Sequence, residues 1–361
     1  MPQIRRKLTH KLIFKACSKF CTGLLFVYIL TSLLLTSCSS KKFLNEGEYV
    51  LSDVKITSTS KHFNTSQYKG YLRQHPNAKW FTLFKVPLGI YCWSKADSLK
   101  GNKGLSKLWR RIGEAPVIYN NQLAQYSKYN IEQALYSEGY LHATADTLMR
   151  RNGHKMHVEY RLKPGPRHYV KKLSFSFDSP VIHDAFRKDS AYTKLRQGMP
   201  LNLNLLAEER SRTINALHER GFYYLNNDFV TFDIDTIAGE LGANVTMTIC
   251  MPDKVDSLRA YVPQRYRNIN LTTDVVDNEE RSAAFEGDKD TLHYRGINFI
   301  YKEKVRINKR VFISHVGMRP DSLYHETQLQ NTYSNVSSLP AITFTNIRTV
   351  PVAGSTDLLD C

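Results

Sequence analysis

From Tyr49 onward, apolar positions along the chain switch repeatedly between a period of two and a helical period. Tyr49-Val50-Leu51-Ser52-Asp53-Val54-Lys55-Ile56 reads as a strand. Further on, Ile131-Glu132-Gln133-Ala134-Leu135-Tyr136-Ser137-Glu138-Gly139-Tyr140-Leu141 and Thr213-Ile214-Asn215-Ala216-Leu217-His218-Glu219-Arg220-Gly221-Phe222-Tyr223 share Ala-Leu-x-x-x-Gly-aromatic at an offset of 82 residues. Apolar residues at 131, 134 and 135, and at 214 and 217, keep a helical period. Gly139 and Gly221 stand where a helix ends on a residue with positive φ, which glycine adopts cheaply. The aromatic that follows predicts a strand over 140–147 and 222–230. A polar turn comes next, and then a closing strand that alternates: Met156, Val158, Tyr160 and Leu162, or Val245, Met247 and Ile249. Another glycine precedes each helix, Gly113 or Gly198, and Tyr169 to Phe177 reads as the strand ahead of Gly198. The repeated unit is β-α-α-β-β, roughly 80–110 residues long.

A third copy is looser. Tyr266 to Leu271 predicts its first strand, Gly317-Met318 echoes Gly198-Met199, and Tyr324 to Val336 reads as a helix. Leu339-Pro340-Ala341 replaces the glycine–aromatic joint, and Ile342 to Ile347 alternates as a strand. Leu358-Leu359-Asp360-Cys361 falls where the closing strand would form, so this unit is expected to be incomplete.

The N-terminus has a different pattern. Arg5, Arg6, Lys7, Lys11, Lys15 and Lys19 precede an uncharged run from Phe20 to Ser37, centred on Leu24 to Leu30 and Leu33 to Leu35. A basic flank followed by a short apolar run is a secretory signal pattern. Leu35-Thr36-Ser37-Cys38 resembles a bacterial lipobox, in which small residues fit the signal peptidase and the Cys38 thiol takes the diacylglycerol. No Asp follows Cys38 and no acidic run does. An uncleaved anchor is the other reading, since 18 uncharged residues lie at the low end of the ~17–25 that span a bilayer. The expected organisation is a signal peptide (1–37), a tether (38–47), a first module (48–165), a second (166–252) and a third, incomplete one (253–361).

Composition narrows the class. With 42% hydrophobic and 11% aromatic residues in 361, the chain has material for real cores. Six cysteines do not make a disulfide scaffold. The net charge is +17; six of the 50 basic residues and none of the 33 acids precede Cys38, which leaves +11 for a chain starting there. A basic surface suits anionic headgroups or nucleic acid, and secretion argues against nucleic acid. No nucleophile elbow, phosphate loop, dinucleotide fingerprint, His-Glu-x-x-His or Cys-x-x-Cys is present, so no catalytic, cofactor or metal site is expected. Trp80, Trp93 and Trp109 with Tyr91 leave a glycan- or ligand-binding lipoprotein as the alternative. In that region Leu105, Leu108 and Trp109 share one helical face that could pack inward.

A secreted chain of β-α-α-β-β units with a helix–Gly–aromatic–strand joint resembles POTRA domains, the periplasmic modules ahead of BamA and TamA outer-membrane barrels. Cys38 to Tyr49, Trp109 to Tyr119 and Pro164-Gly165-Pro166-Arg167-His168-Tyr169 resemble the lipidated TamA-like branch of Bacteroidetes, TamL. The resemblance implies an α+β fold of tandem POTRA-like modules behind a lipoprotein signal peptide, but without the barrel that the family carries. It implies a scaffold rather than an enzyme, on the periplasmic face of the outer membrane. An acylated Cys38 would anchor it there through palmitate-type chains. It would assist protein assembly or translocation, with unfolded outer-membrane proteins as clients and a periplasm-spanning TamB-like partner. By the same analogy, each unit's second strand is the sheet edge that takes a client strand (140–147, 222–230, 342–347). Tyr140, Leu141, Phe222, Tyr223 and Leu225 are the candidate contact residues.

Overall fold

The alternation in Lys155–Lys163 puts that strand in the middle of a sheet: Met156, Val158, Tyr160 and Leu162 are buried while Lys155, Arg161 and Lys163 face solvent. In this computed structural model it is β3, flanked by β1 (Val50–Ser58) and β2 (Thr144–Asn152) in the order β1-β3-β2. The structure describes residues 40–80, 85–94, 104–236, 240–252, 257–273, 289–301, 305 and 308–361. β1 runs parallel to β3, which requires a crossover, and helix Asn121–Ser137 makes it. That helix buries Ala124, Ser127, Ile131, Ala134 and Leu135. β2 pairs antiparallel with β3 through a turn at Gly153, φ +58°.

The chain divides into two compact units, one running to Leu135 with His142–Gly165, the other Tyr136–Leu141 with Pro166–Cys361. The second unit holds two further modules. In the first of them, β4 (Tyr169–Phe177), β5 (Val230–Thr236) and β6 (Gly242–Ile249) take the order β4-β6-β5. Helices Pro180–Arg187 and Leu203–His218 bury Ile182, Phe186, Ile214 and Leu217 against Met247 and Ile249. Asn202 caps the longer helix, its side chain accepting from the N–H groups of Asn204 and Leu205.

Among its described residues the last module has five strands in the order β10-β11-β7-β9-β8, with β7 at Arg265–Thr272, β8 at Asp290–Tyr294, β9 at Ile297–Tyr301, β10 at Val350–Pro351 and β11 at Leu358–Asp360. Helices Lys309–His315 and Glu326–Ser337 cover a core of Tyr266, Phe299, Phe312, Tyr324 and Leu359. The architecture is therefore α+β, built from β-α-α-β-β modules. Among the described residues no helix is long and apolar enough to cross a membrane.

One backbone pattern recurs in all three modules. The chain entering the second helix pairs antiparallel with the start of the first strand, bridging Val50–Ile118, Tyr169–Pro200 and Arg265–Leu323. Leu51 N–H donates to the Val117 carbonyl (2.7 Å), Val170 to Met199 (2.8 Å) and Tyr266 to Ser322 (3.0 Å). Tyr119 N–H then donates to Tyr49 (2.7 Å), Leu201 to His168 (2.9 Å) and Tyr324 to Gln264 (2.9 Å). Directly after each clamp the parallel ladder slips by one residue, past Ser52, Lys171 or Arg267.

Several expectations are corrected. Gly198 donates to the Val170 carbonyl (2.8 Å) at φ +84°; its counterpart in the last module is Asp321, φ +62°, which donates to Tyr266 (2.7 Å). Gly317 is not that counterpart, nor is Gly113. Pro116, which has no N–H, holds the place in the first module, and Gly113 ends helix Leu105–Ile112, where a Cβ would meet the Tyr91 nitrogen at 2.4 Å. The strands predicted over 140–147 and 222–230 begin later, at Thr144 and Val230. Residues 342–347 form no strand; Val350–Pro351 takes that place. At 358–361, where the closing strand is expected to form, Leu358–Asp360 runs parallel to β7. A hairpin not foreseen, β8–β9, turns on Arg295 and Gly296, both at positive φ, and extends the sheet on β7's other side. Leu35, Thr36, Ser37 and Cys38 lie outside the described residues.

A buried carboxylate ties the second module's helices together. Glu209, fully buried, accepts from Arg212 Nη2 (2.7 Å) and Nε (3.0 Å) and from the Lys194 N–H (3.0 Å), while Arg212 also bonds Asp189. Burial pushes the Glu209 carboxyl up, but these bonds outweigh it and hold it below the usual range. Its stabilisation is thus complete above the unfolded value of about 4.3 and is lost as pH falls through the lower folded value. Glu209→Ala is expected to cost roughly 3 kcal/mol in urea melts of the full chain at neutral pH, because it removes the buried acceptor of two Arg212 bonds and of the Lys194 N–H. The gap between variant and parent is expected to narrow on acidification below pH ~4.

Candidate functional site

In the sheets of the first two modules the two edges are not equivalent. The outer side of β1 or β4 is closed at its start by the clamp, whereas β2 and β5 each pair with one neighbour only. Cys250 N–H donates to the Phe229 carbonyl (3.0 Å), so Phe229, Thr231 and Asp233 point their backbone groups at β6. By the same alternation, Phe232 and Ile234 aim their N–H and C=O groups outward, where no backbone partner meets them among the described residues. In β2 the outward-facing N–H of Ala145 is taken by Glu132 Oε1 (2.8 Å), which leaves the backbone groups of Thr147 and Met149 facing out. Charges guard both edges: Asp233 and Asp235 are exposed on β5, and Asp146 on β2 pairs with Lys163 at 2.7 Å. The hydrogen bond from Lys163 and its charge hold the Asp146 carboxyl below its ordinary value.

The five residues expected to shape client pockets lie ahead of these strands. Arg167 stacks over Tyr140 (5.4 Å), and Leu141 packs on the cluster of Val170, Leu195 and Leu201. Phe222 and Leu225 are core residues beside Ile182 and Phe186. Tyr223 packs edge-on against Tyr224 (5.1 Å) and Tyr324 (5.0 Å). Leu141 and Tyr223 lie instead at the joints that follow the repeated glycines. The Gly139 carbonyl accepts from His168 N–H (2.9 Å), and that of Gly221 accepts from Gln264 N–H (2.8 Å). At the second joint Glu219 accepts from Thr327 N–H (2.7 Å) and faces His325 (3.7 Å). Trp93 and Trp109 meet edge to face at 5.3 Å, while Trp80 is half exposed. Among the described residues no three His, Cys, Asp or Glu gather to hold a metal ion.

The sequence matches no family profile and no curated protein. Among solved structures it is similar to POTRA domains 3–5 of Haemophilus influenzae BamA, at 12% identity over 88% of this chain and 96% of that one, TM-score 0.43. It is also similar to POTRA domains 1–3 of Anabaena Omp85, at 11% identity over 88% and 96%, TM-score 0.28. The N-terminal domain of Omp85 from Thermosynechococcus elongatus follows at 10% identity over 88% and 97%, TM-score 0.27. The module fold stands on its own ladders and clamps described above.

The glycines make a graded prediction. Gly198 has positive φ but open space around its Cβ position, so Gly198→Ala is expected to cost about 1 kcal/mol. Gly139 combines φ +92° with the Leu201 carbonyl oxygen 2.4 Å from a built Cβ. Gly139→Ala is expected to cost roughly 3 kcal/mol or more, measured by urea unfolding of the full chain. Equal costs at the two sites would disprove the close-approach argument.

Proposed function

We propose that the chain is the lipid-anchored, periplasmic POTRA-like region of an outer-membrane protein assembly or translocation factor of the TamA/BamA kind, on the TamA-like lipoprotein branch. Its modules take up client or partner strands by β-augmentation. The observation that carries the reading is the asymmetry of the sheets: one edge is clamped while the other, in β2 and β5, presents backbone groups outward. Main-chain pairing is tolerant of side chains, which suits unfolded outer-membrane proteins and a TamB-like extended partner. Cys38, Leu35, Thr36 and Ser37 supply the anchor in this reading. A lipoprotein carries more than one acyl chain, and this makes membrane residence stable. Contact residues move from Tyr140, Leu141, Phe222, Tyr223 and Leu225 to Thr147, Met149, Phe232 and Ile234. The first five act through the core and the joints that hold the edges in place.

Two measurements test the reading. Cys38→Ala is expected to release the protein from outer-membrane pellets; full retention would remove the lipid anchor. Ile234→Pro deletes an outward N–H that the β5–β6 ladder does not use, so the fold should survive. With a photo-crosslinker at exposed Asp233 and a urea-diluted outer-membrane β-barrel polypeptide as client, adducts are expected to fall at least ~5-fold in Ile234→Pro, the loss of about one hydrogen bond. Unchanged adducts would overturn augmentation at β5.

A further inference from the structure

Helix Leu105–Ile112 wears its apolar face outward. Leu105, Leu108, Trp109 and Ile112 fall within one stripe about 100° wide, and Lys107, Arg110 and Arg111 occupy the opposite side. The expected inward packing is reversed: Leu105 is 68% exposed, Ile112 56% and Leu108 45%. The helix is held at its C-terminal end and through Trp109, the one member of the stripe that is not exposed. Gly113 closes onto Tyr91, Glu114 N–H donates to the Pro87 carbonyl (3.0 Å), Arg110 lies over the Tyr91 ring (5.9 Å) and Trp109 abuts Trp93. A helix that is pinned on one side and leaves its leucines in water needs an occupant.

The occupant is identified by charge and by place. Lys107 and Arg111 are exposed on the polar side opposite the apolar stripe, the two-faced arrangement of an interfacial amphipathic helix on anionic lipid. Residues 40–43 pack on helix Val86–Cys92, whose Tyr91 also receives Gly113: the Phe43 ring lies 5.1 Å from Tyr91, and Lys42 Nζ donates to the Ser94 carbonyl at 2.7 Å. Ser40, at the start of that segment, is buried. Cys38 is two residues earlier, within about 7 Å of chain reach. Acyl chains on Cys38 would therefore enter the bilayer beside this helix.

We propose that Leu105–Ile112 lies in the headgroup region of an anionic membrane, its Leu105, Leu108 and Ile112 side chains dipping below the headgroups. Its position rests on the lipid-anchor reading, but its test is separate. The full chain carrying Trp80→Phe reports through Trp93 and Trp109. On phosphatidylethanolamine vesicles containing phosphatidylglycerol, brominated acyl chains are expected to quench this emission roughly twofold, since the ring pair sits at acyl depth. The combined change Leu105→Glu, Leu108→Glu and Ile112→Glu is expected to abolish quenching with an unchanged urea midpoint. Lys107→Gln with Arg111→Gln is expected to weaken it on anionic vesicles alone. Absence of quenching in the parent, equal quenching after the three Glu changes, or equal quenching on neutral phosphatidylcholine would each overturn the proposal. So would a dimer broken by Leu108→Glu with no quenching, which would make the face an interface between copies. Pelleting of Cys38→Ala reads the anchor, so the two ideas can fail independently.

Discussion

The hydrogen-bonded clamp between the first strand and the approach to the second helix sets the rest of each module. Its donors, Leu51, Val170 and Tyr266, are all buried apolar residues, but the bonds themselves are made by the backbone. Once the helix approach occupies one side of the first strand, the closing strand must pair on the other side. A parallel closing strand then demands the helical crossover seen each time. The one-residue slip past Ser52, Lys171 or Arg267 lets a strand clamped on one side stay in register on the other. In the first two modules the antiparallel second strand is then left on the outside. The open edge is a consequence of the clamp rather than a separate feature.

What was legible in the sequence is what local chemistry dictates. The glycines at 139 and 221 announced helix ends because positive φ and a close neighbour both exclude side chains there. β3 and β6 were legible because half-buried strands alternate. The start of β5 was not. Phe222 and Leu225 are apolar and follow the glycine, as strand residues would, yet they fill the core of their own module. Short runs of apolar residues do not tell a strand from a buried link. The last module hid for the opposite reason: β10 and β11 have two and three residues, too few to show a period, and Asp321 does the work that glycine does at 198.

Helix Leu105–Ile112 marks a further boundary of inference. The stripe of Leu105, Leu108, Trp109 and Ile112 was visible from spacing alone. Spacing says which residues share a side of a helix and nothing about whether that side meets the core. The sign was decided by neighbours distant in sequence: Gly113 closes onto Tyr91 and Trp109 meets Trp93, which leaves Leu105, Leu108 and Ile112 exposed.

An open edge is also a hazard, because it invites another copy of the same edge. The side chains answer this without closing the backbone. Asp233 and Asp235 stand on the solvent face of β5, so two such edges brought together would set carboxylates against each other. On β2 the first outward donor is already spent on Glu132, and the ion pair between Asp146 and Lys163 occupies the adjacent surface. Self-pairing is penalised by charge, while a strand of different sequence meets only the outward backbone of Phe232 and Ile234. The charges thus disfavour pairing between copies of β5 while its outward backbone groups stay unpaired among the described residues.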